Sequence, residues 1–223
     1  MHLSLSAFDG AHSFLFIADV INNEIKNGHF FSGLHWHDTW SAVRDSSFNL
    51  NDERSFSHLK EGYSKLEFSF PDVNGKMVSL ADSEFKNKVV IVQIMGSWCP
   101  NCLDETRYLS DWFNTTKPED VRIIGLDYEK ITDTTVAFRN IRRLADRYHV
   151  NYPILFGGSS NREEAGKTLP MLSRVFSFPT TIYVNKDGTV REIHSGFNGP
   201  ATGQYFEDYK RGFAKLIEEM RNH

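Results

Sequence analysis

The sequence predicts an α/β protein, a mixed sheet covered by helices with a partial β-rich segment ahead of it. Three observations carry that prediction. Lys88-Val89-Val90-Ile91-Val92-Gln93-Ile94 is a nearly continuous apolar run rich in β-branched residues, the signature of a strand buried on both faces. From residue 88 onward the patterns run strand, helix, strand, helix, strand, strand, helix, an order that lays helices on a sheet. Residues 1–45 instead alternate apolar and polar positions in short runs broken by turn pairs, as half-buried strands do.

The N-terminal elements follow from that alternation. Leu3, Leu5 and Ala7 alternate with Ser4 and Ser6 and end at the turn pair Asp9-Gly10. Residues 12–20 give a second strand, with Phe14, Phe16, Ala18 and Val20 on one face. Asn22-Asn23 and Asn27-Gly28 read as turns, and residues 29–43 as one or two further strands. Three or four strands in a meander make a sheet but not a closed barrel, so a truncated module is expected. A chain that opens on an alternating strand pattern is also expected to be cut from a longer precursor. His35 and His37 lie two apart on a strand, so their rings share a face and could hold copper or zinc. The competing reading is a solvated face, with Trp36 and the aromatics opposite in the core. Residues 44–66 turn polar and are the expected linker or surface loop. The expected division is 1–60 for the β-rich segment with its linker and 61–223 for the main domain.

Residues 67–80 form a hairpin pattern with Asn74-Gly75 at its tip. Residues 103–113 carry apolar side chains at 103, 108, 109, 112 and 113, the spacing of an amphipathic helix. Residues 120–127 are a second buried strand. Residues 132–148 are a helix with Val136, Ile141, Leu144, Ala145 and Tyr148 inward. Residues 152–156 are short and extended, 157–170 a polar loop, and 171–176 a helical turn. Residues 178–184 and 189–193 are strands joined by a hairpin turn at 185–188. Residues 204–220 close the chain as a helix with Tyr205, Phe206, Tyr209, Phe213, Leu216 and Ile217 at helical spacing.

Between the buried strand and the first helix stands Trp98-Cys99-Pro100-Asn101-Cys102, with the only two cysteines of 223 residues. The first turn of a helix presents unpaired N–H groups and partial positive charge, and a thiol there ionises more readily to the thiolate, which is the nucleophile. Cys99 takes the exposed first position, and Cys102 follows about one turn later on the same face. Such a pair can close and reopen a short-loop disulfide. Pro100 at the helix start loses no needed hydrogen bond. The alternatives are half of a zinc site or two inert core cysteines. Zinc requires two more ligands, yet no further cysteine exists and the nine histidines offer no pair at ribbon spacing. The strand, CxxC and helix context points to redox chemistry.

Composition narrows the remaining classes. A net charge of −4 leaves no basic footprint for nucleic acid. No run of about 20 apolar residues is present to span a membrane, and no basic start with an apolar core marks a signal peptide.

These residues resemble a family. Gly75-Lys76-Met77-Val78-Ser79-Leu80, Lys88-Val89-Val90-Ile91, the Trp98–Cys102 motif with Glu105, Phe178-Pro179-Thr180 and Asp187-Gly188-Thr189-Val190 together are similar to the TlpA/ResA-type thiol-disulfide oxidoreductases of the thioredoxin superfamily (AhpC/TSA-like, redoxin). The β-rich start is similar to extensions on such proteins from Bacteroidetes-type bacteria. The resemblance implies a thioredoxin-like fold over roughly residues 64–222. It implies an enzyme that reduces disulfides of extracytoplasmic, periplasmic proteins, anchored to the membrane in its precursor and re-reduced by an upstream thiol electron donor. No cofactor or metal is implied. Cys99 would be the attacking thiolate and Cys102 the resolving thiol. Pro179 would be a cis-proline facing them, with the backbone of Phe178 pairing with substrate beside Trp98, Pro100 and Asn101. Glu105, three residues beyond Cys102, resembles an acid/base partner of the pair; otherwise it stabilises the first helical turn, as Asp104 can.

The departures bear on function. Many relatives carry proline immediately before the second cysteine; here it follows the first and Asn101 precedes Cys102, so redox poise does not carry over. Met95-Gly96 replaces an aromatic/Ala-Thr pattern, and residues 157–170 exceed the usual connection in a way suited to shaping partner binding. A peroxiredoxin-like peroxidase is a competing reading, but Ser97-Trp98 stand where a threonine-led loop belongs. A copper-handling protein of the Sco type is another, with His194 as its distant histidine, but the cysteine spacing is too short.

Overall fold

A computed structural model of the chain describes residues 1–8, 13–32, 36–47 and 56–222. The chain forms two compact units, Met1–Asn51 and Asp52–His223. The first is an antiparallel meander of β1 (His2–Phe8), β2 (Ser13–Ile21), β3 (Glu24–Ser32) and β4 (Trp36–Val43), in that spatial order. Asn22 and Asn23 have φ of 51° and 63°, the left-handed pair that a two-residue hairpin requires. Phe16 stands opposite Phe30, with ring centroids 4.7 Å apart, and packs edge-on to Trp40.

Two expectations for this unit are corrected. Asn27-Gly28 is not a turn: Asn27, at φ 51°, lies inside β3, where the pairing with β4 shifts register between Ile25 and Gly28. An extra residue is absorbed there as a bulge. Trp36 is not in the core but 61% exposed. It begins the edge strand, where one ring contact, with Phe30, covers it. His35 lies outside the described residues. His37 stacks on Phe31 and stands with its Nε2 2.9 Å from Nδ1 of His29.

The second unit opens with a small hairpin, β5 (Ser69–Pro71) and β6 (Met77–Ser79). Then follow β7 (Val89–Met95), α1 (Pro100–Thr116), β8 (Val121–Glu129), α2 (Thr134–Tyr148), β9 (Ile154–Ser159), α3 (Arg162–Thr168), β10 (Thr180–Val184), β11 (Val190–Ser195) and α4 (Gln204–Asn222). The five-stranded sheet runs β11-β10-β7-β8-β9. β7, β8 and β9 are parallel, and β10 is antiparallel to both its neighbours. Two successive right-handed crossovers in one direction put their helices on the same side. Accordingly Leu109 of α1 and Ile141 and Leu144 of α2 pack on Val89, Ile91 and Met95, joined by Phe213, Ile217 and Met220 of α4. Val90, Val92 and Ile94 point to the other face, onto Phe68, Val78, Phe85, Ala165 and Leu169. Every residue of β7 is buried.

The differences from the sequence reading have local causes. Part of the expected linker belongs to the second unit: Leu59 bridges Leu172, Ser173 N–H bonds His58 O, and Leu66 is buried. Isolated apolar residues in a polar stretch carry too little periodicity to reveal this. The expected loop at 157–170 contains the end of β9 and all of α3. Gly157 is a strand residue, glycine because a Cβ there would meet the ring of Tyr128. Asn161 caps α3 by accepting from the N–H groups of Glu163 and Glu164, a seven-residue helix too short to show a periodic face. Residues 171–176 form no helical turn; Leu172 makes a bridge instead. The buried side of α1 is also more polar than apolar spacing suggested, with Glu105, Thr106 and Ser110 inward. Ser110 donates to the carbonyls of Tyr148 and His149 at the end of α2, where helix carbonyls lack partners.

Because Ile91 is fully buried at the centre of the sheet, Ile91→Ala should destabilise the second unit by about 2–5 kcal/mol. Met77→Ala, at a side chain 54% exposed, should stay within about 0.5 kcal/mol of the parent. Urea unfolding followed by circular dichroism measures both.

Candidate active site

The parallel strands deliver the chain to one edge of the sheet, and the cysteines sit there. Cys99 is the N-cap of α1: its backbone is extended, at φ −98° and ψ 108°, and its Sγ accepts from Cys102 N–H at 3.3 Å. Pro100 opens the helix, where a missing N–H costs nothing. Cys99 and Cys102 are joined by a disulfide with Cα atoms 5.2 Å apart. Cys99 is not exposed as expected: it is buried at 5% exposure, the Phe178–Pro179 loop standing against it, and Cys102 is fully buried.

Three neighbours frame the disulfide. The Phe178–Pro179 bond is cis, and Phe178 O lies 3.6 Å from Cys99 Sγ. That loop is braced by Ser177 Oγ donating to Pro179 O and Thr180 Oγ1 donating to Ser177 O. Trp98 donates from its indole to Tyr128 O at 2.9 Å, packs edge-on to Phe178, and carries the Lys130 ammonium over its ring. Gly96 makes room for it, since a Cβ there would collide with the indole. Asn101 donates to Phe197 O at 3.0 Å, which ties the CxxC loop to the chain after β11. Trp98, Cys99, Pro100, Asn101, Cys102, Phe178 and Pro179 thus come together.

Glu105 lies beneath them rather than at the surface, fully buried. Its Oε2 accepts from Gln93 Nε2 at 2.8 Å; its Oε1 accepts from Thr181 Oγ1 at 2.8 Å and from the Tyr209 hydroxyl at 3.3 Å. The same Gln93 amide also donates to Cys102 O at 3.3 Å, a direct bridge between the carboxyl group and the backbone of the second cysteine. Thr106 Oγ1 donates to Gln93 Oε1 and so fixes the amide. Burial pushes the Glu105 carboxyl up to about 7, against the three hydrogen bonds, which favour the ionised form. On the neighbouring strand Asp127 is buried at the end of β8. Burial, reinforced by the charge of Glu129, holds its carboxyl well above the usual range.

Gln93, Thr181, Tyr209 and Asp127 were not singled out from the sequence. A signal existed for Gln93, a lone amide in a run of buried apolar residues, and for Asp127 and Glu129 at alternate positions ending another. Thr181 and Tyr209 carry no such mark: they meet Glu105 only because β10 and α4 pack against α1. His194, on β11, is partly buried beside Tyr209, 5.9 Å between rings, and burial lowers its pKa. Among the described residues no group of three or more His, Cys, Asp or Glu is placed to hold a metal ion.

Residues 60–209 match the redoxin family. The thiol-disulfide oxidoreductase ResA of Bacillus subtilis (strain 168) is 26% identical over 138 residues, covering 62% of this chain and 69% of its own. ResA of Bacillus thuringiensis subsp. konkukian is 29% identical over 152 residues, 68% of this chain and 77% of its own. A putative protein disulfide isomerase from Bacteroides thetaiotaomicron superposes with a TM-score of 0.52 at 18% identity, covering 75% of this chain and 94% of that one. A putative thiol:disulfide interchange protein DsbE from Chlorobium tepidum gives 0.53 at 16% identity, over 72% and 99%. These likenesses show a thioredoxin-like fold.

Glu105 sets a pH dependence whose sign follows from its position. Its carboxyl holds a proton up to about pH 7 when folded, against a reference of 4.5. Below the lower value both states are protonated and its contribution is complete. Between them the unfolded chain releases the proton first, so stability falls as pH rises, levelling off above the upper value. The loss is about 3 kcal/mol, at about 1.4 kcal/mol per pH unit. Glu105→Gln should flatten this part of the profile in urea midpoints taken from pH 4.5 to 8.

Proposed function

The chain belongs to the redoxin family, and from that premise we propose that it is a thiol-disulfide oxidoreductase that reduces disulfides of extracytoplasmic proteins. The observation that carries this reading is the position of Cys99: it caps α1 and faces the Phe178–Pro179 loop, with its partner sulfur buried behind it. The ResA enzymes to which the chain is similar are thiol-disulfide oxidoreductases by name.

In the reduced protein the Cys99 thiolate attacks one sulfur of a client disulfide. The client S–S bond breaks, a Cys99–client mixed disulfide forms, and the departing client sulfur takes a proton. Cys102 then attacks Cys99 Sγ and expels the second client thiol. The client leaves as a dithiol, and the protein is left with the Cys99–Cys102 disulfide. The Phe178 backbone pairs with the client chain beside Trp98, Pro100 and Asn101, and Pro179 shapes that edge. Glu105 acts as the acid/base partner of Cys102, coupled to it through the Gln93 amide. An upstream thiol donor restores the dithiol. The compact thioredoxin-like domain, taken from about residue 61, carries the whole chemistry.

Two measurements test the reading. Equilibration in thiol–disulfide buffers, with mass tagging of free thiols, should give a potential near or below about −270 mV. A value near about −120 mV, that of a strong oxidant, would make the protein a disulfide former. Absence of any reversible Cys99–Cys102 disulfide would sink the central claim. Cys102→Ser should accumulate a mixed disulfide with an oxidised client on non-reducing gels, and Cys99→Ser should form none.

A further inference from the structure

We infer that the groove between α3 and the loop before Pro179 binds an acidic segment of the client polypeptide, flanking the disulfide under attack. This rests on the oxidoreductase reading above and adds the client's chemistry to it.

The groove has a volume of about 790 Å³, and Lys60, Arg162, Lys167 and Arg174 line it, with Glu163 as the one carboxylate among the described residues. That concentration of cations stands out in a chain of net charge −4. The side chains of Arg162, Lys167 and Arg174 are exposed and, among the described residues, take part in no ion pair or hydrogen bond. Lys60 is held in place, its ammonium donating to Pro170 O at 2.8 Å. Elsewhere on this unit some exposed cations pair with carboxylates, as Arg221 does with Asp120, Arg191 with Glu219 and Lys210 with Glu207, while others such as Lys76, Lys86, Arg139 and Arg143 do not among the described residues. What sets Arg162, Lys167 and Arg174 apart is that they line one groove. A groove lined by three cations that meet no carboxylate among the described residues has charge to offer an anionic partner.

The groove reaches to within two residues of the site along the chain. Arg174, Val175 and Phe176 line it. Two residues beyond Phe176, the carbonyl of Phe178 lies 3.6 Å from Cys99 Sγ. A client strand lying along residues 174–178 advances about 3.3 Å per residue, so within about five residues of its reacting cysteine it passes over these cations. Phe176 supplies an apolar wall, itself fixed edge-on against Phe56 at 5.2 Å. The element that supplies Arg162 and Lys167 is α3, in the segment longer than the usual connection. Rim charges of this kind act chiefly through encounter rate and partner choice.

The test uses the full chain, pre-reduced, in single turnovers against cyclic disulfide peptides that differ only in flanking residues: Asp/Glu, Ser, or Lys. 2-Hydroxyethyl disulfide serves as a neutral small substrate that cannot reach the groove. The acidic peptide should react about tenfold faster than the lysine peptide in low salt, with the advantage collapsing at about 0.5 M salt. Lys167→Glu with Arg174→Glu should remove or reverse the preference while leaving the rate on 2-hydroxyethyl disulfide unchanged. Arg162→Gln with Arg174→Gln, milder changes at exposed positions, should reduce it. Equal rates for all peptides, or a preference that survives both pairs of substitutions, would overturn the proposal, as would binding of anionic vesicles through the same residues without any peptide preference. Failure of the wild type on 2-hydroxyethyl disulfide would instead overturn the oxidoreductase reading.

Discussion

A helix start must be brought to the end of a buried strand, and nearly everything else in the second unit answers to that requirement. Cys99 is the cap of α1 and makes the turn from β7 into it, its Sγ accepting from Cys102 N–H. For the turn to be rigid, β7 must be held on every side. It is the central strand, with β10 and β8 as neighbours and a packed core on each face. The Phe178–Pro179 loop arrives opposite Cys99 because it leads into β10, the strand hydrogen-bonded to β7. The chemistry therefore sits at a junction fixed by a sheet, where a loop alone would leave the sulfur mobile.

Under that junction the core departs from apolar packing. Glu105, Gln93, Thr106 and Thr181 are all fully buried. An unpaired buried carboxylate is costly, and here β7, β10, α1 and α4 each give a group to one network around it. Such a network specifies how the elements meet as well as tuning a proton. Its link to the Cys102 carbonyl through Gln93 puts a group that titrates near neutrality one amide away from the redox pair.

Elsewhere the fold carries additions around this centre. α3 and the residues after it cover the face of the sheet away from α1, and their outer side supplies the cations of the groove. Residues 57–66 lie across the same unit, bonded to residues 171–173. The N-terminal sheet is a compact unit in its own right, with Phe14, Phe16, Phe30 and Trp40 on one face and the His29–His37 pair on the other.

Much of this was legible in the sequence. The apolar run of β7, the CxxC at a strand-to-helix boundary and the periodic faces of α2 and α4 are local signals, each set by hydrophobic spacing or turn chemistry within about fifteen residues. They determined the order of elements, the mixed sheet and the place of the cysteines. Short or irregular pieces were not legible: α3 is shorter than two helical periods, and the bulge at Asn27-Gly28 uses the same residues as a turn. The partners of Glu105 were out of reach for a different reason. Gln93, Thr181 and Tyr209 are separated from it by 12, 76 and 104 positions, and no local pattern relates them. Sequence by itself determined which residues could do redox chemistry and on what scaffold. Only the tertiary structure decided that Glu105 is buried, what holds it, and which cations gather in the groove beside α3, because these depend on contacts made when distant elements pack.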